Sequence, residues 1–93
     1  MSDPAYCAAP ADALRVEPLG ELTAIFDRRS MQTHLVVPPV PEMLAAMAQD
    51  ACDAAALAAR LAERFDLSVE GDARAVVAAR LRELAAMGLV APA

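Results

Sequence analysis

The fold is decided by residues 14–37, which read LRVEPLG, ELTAIFD, RRS and MQTHLVV in succession. Three short runs rich in Val, Ile, Thr and Leu are separated by breakers at residues 18–20 and 27–30. Runs of this kind, bounded by Pro, Gly, Asp and Ser, are typical of strands joined by tight turns. The stretch therefore predicts a small, antiparallel, three-stranded meander.

Side chains alternate between the two faces of a strand. In the second strand Leu22, Ala24 and Phe26 share one face, whereas Thr23 and Ile25 share the other. In the third strand the two alternating sets are Met31, Thr33, Leu35 and Val37 against Gln32, His34 and Val36. Each strand is amphipathic enough to cover one side of a core.

From residue 38 onward the pattern is helical. Apolar side chains recur with helical spacing in three stripes: Val40, Met43, Leu44 and Met47; Leu57, Leu61 and Phe65; Val77, Leu81 and Leu84. Asp53 and Asp72 stand where they would cap the second and third helices. Gly88 suits the left-handed residue that ends a helix, and Leu89 is placed for the apolar contact that accompanies it.

The predicted order is βββααα, an α+β fold resembling a winged helix with its wing moved to the front. Residues 1–13 contain small residues, two prolines and no periodicity, which predicts a flexible N-terminal tail before a domain over 14–93. A chain of 93 residues can bury about 64% of its unfolded surface, enough for one core. Aromatic residues are few, so the core must be aliphatic.

Charge and cysteine usage narrow the function classes. The net charge is −5, and residues 38–93 hold five Arg against eight Asp and Glu, so we expect no nucleic-acid partner. No stretch approaches the ~20 apolar residues of a membrane span, so we expect no membrane partner either. Cys7 and Cys52 follow no metal spacing, and the start is no signal peptide, which favours a reducing cytoplasm.

Residues that carry chemistry are scarce. His34 is the only histidine and has no second ligand or nucleophile near it in sequence, so a solvated or interface side chain is the favoured reading. Cys52 is expected in a half-buried apolar role rather than as a reactive thiol. There is no Gly-rich phosphate loop and no Ser, His and Asp set. We therefore expect no catalytic residue, no metal, no cofactor and no enzyme.

The third strand is the most informative feature. If it lies at the edge of the sheet, residues 31–37 offer unpaired backbone groups to an extended peptide. MQTHLVV contains no charge, proline or glycine, which are the usual protections of an exposed edge. The alternatives are that Val36 and Val37 simply enter the core, or that the tail or another subunit covers the edge.

These segments together resemble the PqqD-like peptide chaperones, also called RiPP recognition elements. The resemblance covers about residues 14–91. Its most telling parts are Thr33-His34-Leu35, the LAERFD segment at 61–66 and the stretch from Leu84 to Val90. The chain is most similar to the subgroup encoded beside an HPr-kinase-related protein.

The resemblance implies a non-catalytic domain that binds the leader of a ribosomally made precursor peptide. The leader would add as a strand to the third strand and lie against the third helix. The domain would then present it to a modifying enzyme, often a radical SAM enzyme in the wider family, or to the HPr-kinase-related protein. The implied peptide-binding residues are Met31, Gln32, Thr33, His34, Leu35, Val36, Val76, Val77 and Arg80.

The chain departs from the family pattern at two points. Relatives usually carry Asn, which caps the first helix, where Val37 stands in this chain. The sequence therefore does not define the residue at which this helix begins. An aromatic residue often found in the first strands is missing. An alternative interpretation of Arg80 is that it is an ordinary solvent-exposed arginine of the third helix.

Two other functions remain open. The helical half could belong to a winged-helix transcription regulator, although Arg74, Arg80 and Arg82 against Asp72 and Glu83 make a thin basic excess. Alternatively, the third strand could pair across a two-fold axis in a homodimer.

Overall fold

The predicted meander is present in the computed structural model, which describes residues 4–48, 50–65 and 73–93. Its strands are β2 (Leu14–Leu19), β3 (Leu22–Asp27) and β4 (Gln32–Val36). They form an antiparallel sheet in the order β2-β3-β4. A two-residue turn, Gly20-Glu21, joins β2 to β3, and Gly20 has a φ of 66°, which glycine adopts without steric cost.

One face of this sheet covers the core. Ile25 is completely buried and Val36 is 6% exposed, and both belong to one cluster with Met43 of the first helix. Leu22, on the opposite face, is 39% exposed. The alternation predicted from sequence is therefore real, and the face that carries Ile25 is the inner one.

Three helices complete the core: α1 (Val40–Ala46), α2 (Ala54–Phe65) and α3 (Ala73–Ala86). α2 packs against both α1 and α3. The predicted stripes are confirmed at their described positions, which are buried or half-buried: Val40, Met43, Leu44, Met47, Leu57, Leu61, Val77, Leu81 and Leu84. The side chain of Phe65 lies outside the described part of the chain.

The helix ends follow local hydrogen-bonding chemistry. The backbone N–H of Ala56 donates to Asp53 Oδ1 at 2.9 Å, which confirms the predicted cap of α2. The predicted cap at Asp72 lies outside the described residues. α1 begins after Pro39 without a side-chain cap hydrogen bond.

The end of α3 is a Schellman motif. Gly88 has a φ of 79°, its N–H donates to the carbonyl of Ala85, and the N–H of Leu89 donates to the carbonyl of Leu84. Leu89 is completely buried. The prediction that Gly88 and Leu89 end this helix is confirmed.

Residues 6–8 and 11–13, within the segment expected to be a flexible tail, adopt regular secondary structure. β1 (Tyr6–Ala8) pairs antiparallel with β5 (Val90–Pro92) in a second, two-stranded sheet, and Ala11–Ala13 form a 3₁₀ turn. Tyr6 also exchanges backbone hydrogen bonds with Cys52, at 2.9 and 3.0 Å. The aromatic ring is 8% exposed, so burial of this side chain and a complete set of backbone partners hold the segment in place.

The fold is therefore α+β, with a three-stranded antiparallel sheet and three helices, as the sequence predicts. The order departs from βββααα because a strand precedes the meander and another follows α3. None of the described helices has the length and apolar character that crossing a bilayer requires.

The N-terminal strand gives a direct test of this arrangement. We expect Tyr6→Ala to lower the free energy of unfolding by about 3 kcal/mol, because it empties a large buried site. Cys7→Ala, at an exposed position on the same strand, is the matched control and should change little. Urea unfolding followed by circular dichroism measures both. Equal, small effects would mean that the segment is not part of the fold.

Candidate peptide-binding edge

Both β2 and β4 are edge strands, and the hydrogen-bond register decides which groups each presents to solvent. In a two-residue hairpin the residues that flank the turn, here Leu19 and Leu22, form a hydrogen-bonded pair. Every second pair along β2 and β3 then bonds in the same way. The N–H of Arg28 donates to the carbonyl of Ala13 at 2.8 Å, which agrees with this register.

The register of β3 fixes that of β4. Leu22, Ala24 and Phe26 direct their backbone groups at β2, so the alternate residues of β3 direct theirs at β4. Ile25 is opposite His34 and Thr23 is opposite Val36, so these pairs carry the β3–β4 hydrogen bonds. It follows that the N–H and C=O groups of the intervening residues of β4, Thr33 and Leu35, point away from the sheet.

No hydrogen bond from another described element reaches these outward groups. By the same alternation Pro18 occupies an outward position on β2, where its missing N–H costs no sheet hydrogen bond. β2 also carries Arg15 and Glu17. Its edge is thus protected by proline and charge, whereas Gln32–Val36 has neither. The two edges of one sheet therefore differ in their capacity to accept another strand.

The side chains of β4 divide between two faces. Val36 enters the core and His34 is half-buried beside it, whereas Leu35 is 61% exposed on the outer face. The flanking residues Met31 and Val37 are 72% and 50% exposed. Of the core-entry alternatives considered from sequence, Val36 is buried but Val37 is not.

The outer face of the sheet is apolar next to β4 and ionic next to β2. Ala24 and Phe26 of β3 lie opposite Leu35 and Thr33 of β4. On β2, Arg15 and Glu17 approach each other at 3.8 Å. This face therefore changes from charged to apolar towards the unprotected edge.

The predicted contacts on α3 are only partly available. Val76 is 41% exposed. Val77 is 3% exposed and is part of the core, so, contrary to the prediction, its side chain is not accessible to a peptide. Arg80 Nη1 donates to Glu83 Oε2 at 3.0 Å on the exposed side of the helix. α3 packs chiefly against α2 and β5. Val77 supports the helix from inside, since its place in the apolar stripe turns it away from solvent.

Titratable groups near the edge do not form a recognisable centre. Within the described ranges there is no group of three or more His, Cys, Asp or Glu side chains that could hold a metal ion. His34 Nε2 and Glu42 Oε2 are buried atoms without a hydrogen-bond partner among residues 4–48, 50–65 and 73–93. Burial raises the pKa of the Cys52 thiol, which keeps it in its less nucleophilic form.

A charged turn fixes the start of β4. The guanidinium of Arg29 donates from Nε and Nη2 to the two carboxylate oxygens of Asp27, each at 3.0 Å. Nη2 also donates to the carbonyl of Gly88 at 2.8 Å. The sequence identified these as turn residues but gave no sign that Arg29 reaches the end of α3. This contact ties the β3–β4 turn to the helical half.

The structure also contains an apolar groove that the sequence did not predict. This groove of about 340 Å³ lies between β2 and α1, with Leu14, Val16 and Leu44 in its wall. Its remaining lining residues are alanines, prolines and Ile25, so it has no charged side chain. The groove lies at the protected edge of the sheet, away from β4. The lining residues come from β1, β2, β3, α1 and the segments beside them, so they share no periodic signal that would reveal the groove.

No protein family, curated protein or solved structure matches this chain. The resemblance to the PqqD-like chaperones consequently remains a prediction. The geometry of β4 is the basis for the function proposed here.

The Asp27–Arg29 pair predicts a pH effect. Hydrogen bonds from Arg29 hold the pKa of Asp27 below its ordinary value, against burial, which raises it. A carboxyl group with a lowered pKa stabilises the fold above its unfolded pKa, near 4, and this contribution is lost as pH falls through the folded value. We expect Arg29→Ala to raise the pKa of Asp27 and to destabilise the fold at neutral pH more than in acid.

Arg28→Ala is the matched control, because it removes the same charge from the neighbouring, exposed position. Carboxyl-carbon NMR titration of Asp27 and urea unfolding at several pH values measure the two effects. An unchanged Asp27 titration in Arg29→Ala would show that the pair does not form.

Proposed function

We propose that this chain is a non-catalytic adaptor that binds an extended peptide by strand addition to β4. The observation that supports it most is the unprotected edge, at which the N–H and C=O groups of Thr33 and Leu35 point outward. Such an edge is an aggregation hazard unless it has a partner. Strand addition satisfies these groups with the backbone of the peptide.

Strand geometry separates the groups that would provide affinity from those that would provide selectivity. Backbone hydrogen bonds from Thr33 and Leu35 supply affinity that is independent of peptide sequence, and neighbouring side chains supply selectivity. The docking strand in this proposal is Gln32–Val36. Met31, which the sequence included, lies in the preceding turn, where its φ is 61° and its N–H donates to the carbonyl of Asp27. Val76 and Arg80 are exposed on α3 and remain proposed contacts for the flanking part of the peptide.

The proposed identities of the peptide and of the enzyme that modifies it come from the resemblance to PqqD-like chaperones. On that basis we propose a winged-helix-like domain that acts in the cytoplasm on the leader of a ribosomally synthesised precursor. The partner would be a peptide-modifying enzyme, of the radical SAM class or related to HPr kinase. The adaptor would contribute binding and orientation, and the enzyme the chemistry.

Charge supports a peptide rather than duplex DNA as the ligand. The chain has a net charge of −5, and DNA binding gains most of its affinity from neutralising phosphates. Arg80, one of the few cations of α3, has Glu83 as its ion-pair partner. A recognition helix with an internal ion pair and an acidic background is a poor match for a phosphate backbone.

Strand addition predicts a specific pattern of amide protection. The probes are synthetic N-terminal segments of short peptides encoded by the genes flanking that of this chain. On binding, the Thr33 and Leu35 amides should become protected from hydrogen exchange, because they gain partners. The His34 and Val36 amides should be protected with and without peptide. Binding that changes the helices alone would refute the docking strand.

A proline substitution tests the same edge. Leu35→Pro removes an outward N–H but no hydrogen bond to β3, so the sheet should persist while peptide binding falls at least tenfold. Val16→Pro is the matched control, because Val16 has the corresponding outward position on β2. Calorimetric titration measures binding and circular dichroism verifies folding. Equal loss in both variants, with both folded, would contradict a site at β4.

A further inference from the structure

We infer that the β4 edge selects peptides with aliphatic side chains at alternate positions. These side chains contact the outer face of the sheet. The inference rests on the proposed strand addition and adds the chemical class of the ligand. It places selectivity on the face of the sheet that points away from the helices.

The register determines which peptide side chains reach that face. Since the backbone groups of Thr33 and Leu35 point outward, the residues of an antiparallel peptide that lie opposite them form hydrogen-bonded pairs with them. Directly opposite residues in a sheet project to the same face. Thr33 and Leu35 project to the outer face, so every second peptide residue does so as well.

The surface that these peptide residues would meet is apolar. Leu35 is 61% exposed, and Met31 and Val37, at the two ends of the strand, are 72% and 50% exposed. Leu22, which the register places beside Val37, is 39% exposed. Leu22, Leu35 and Val37 form an exposed apolar margin along the unprotected edge, and Met31 lies in the turn before it, with a φ of 61°.

Charge distribution across the same face indicates why this margin suits an uncharged, aliphatic ligand. The Arg15–Glu17 pair is on β2, and its two side chains line a shallow depression together with Thr33 but not with Leu35 or Val37. No charged side chain of β4 projects among Thr33, Leu35 and Val37. Polar or charged peptide residues placed there would lose water without gaining a partner.

The inference yields a sequence pattern. Two aliphatic residues separated by one residue would lie opposite Leu35 and Val37, and the next outer position, opposite Thr33, would accept a threonine or another small residue. The intervening residues project to the inner face. A parallel or an antiparallel peptide gives the same spacing, read in opposite directions.

Two synthetic eight-residue peptides with charged ends test this pattern. The first is a Thr peptide with two Leu residues separated by one Thr, and the second has Gln in place of each Leu. Each is titrated against the wild-type chain, Leu35→Thr and Leu19→Thr. Leu35→Thr shortens the apolar side chain but introduces a β-branched residue, which suits a strand. Leu19→Thr makes the same change on the outer face of β2, where Leu19 is 54% exposed.

We expect the Leu–Thr peptide to bind Leu35→Thr about fivefold more weakly than wild type, as expected for loss of one apolar cross-strand pair. The Gln–Thr peptide should bind wild type and Leu35→Thr equally. Leu19→Thr should leave both affinities unchanged. Val37→Thr provides a second variant with the same expected effect if Leu35→Thr unfolds.

Amide exchange at Thr33 and Leu35 separates the possible failures. If both peptides protect these amides with equal affinity for all variants, aliphatic selection is wrong and strand addition stands. If neither peptide protects them, this inference is wrong, and the flanking-gene peptides then decide the proposed function separately. If sedimentation shows a dimer that Leu35→Thr dissociates, the margin binds a second copy and the inference is overturned.

Discussion

The hydrogen-bond register of β3 is the constraint on which the functional account depends. It is set at one end by the two-residue Gly20-Glu21 turn, and the hydrogen bond from Arg28 to Ala13 at the other end agrees with it. Because β3 bonds β2 through alternate residues, it bonds β4 through the others. A shift by one residue would turn Thr33 and Leu35 towards the sheet and would expose the groups of His34 and Val36 instead.

Hydrogen bonds and a shared core connect this sheet to the rest of the domain. The chain ends meet in the β1–β5 pair, and Tyr6 joins that pair to Cys52 between the first two helices. Arg29 connects the β3–β4 turn to the carbonyl of Gly88 at the end of α3. The Arg29 contact and the shared core around Ile25 and Val36 join the meander to the helical half. A docking strand whose position is fixed loses less conformational entropy when a peptide binds.

Local chemistry explains how much of this structure the sequence reveals. The turn at Gly20, the cap at Asp53 and the helix end at Gly88 depend on nearest neighbours, and each is as predicted. Pairing of Tyr6–Ala8 with Val90–Pro92 joins segments from opposite ends of the chain. Short strands rich in alanine and proline carry little alternation, so this pairing had no local signal. The burial of Val77 follows from its place in the apolar stripe of α3, whereas the reach of Arg29 to Gly88 depends on tertiary packing.

The most direct test of the central claim is a measurement of scalar couplings through hydrogen bonds in the isotope-labelled, peptide-free domain. The account predicts couplings from the amide of His34 to the carbonyl of Ile25 and from that of Val36 to Thr23. The amides of Thr33 and Leu35 should show none. Couplings from Thr33 or Leu35 to carbonyls of β3 would contradict the register and, with it, the docking edge.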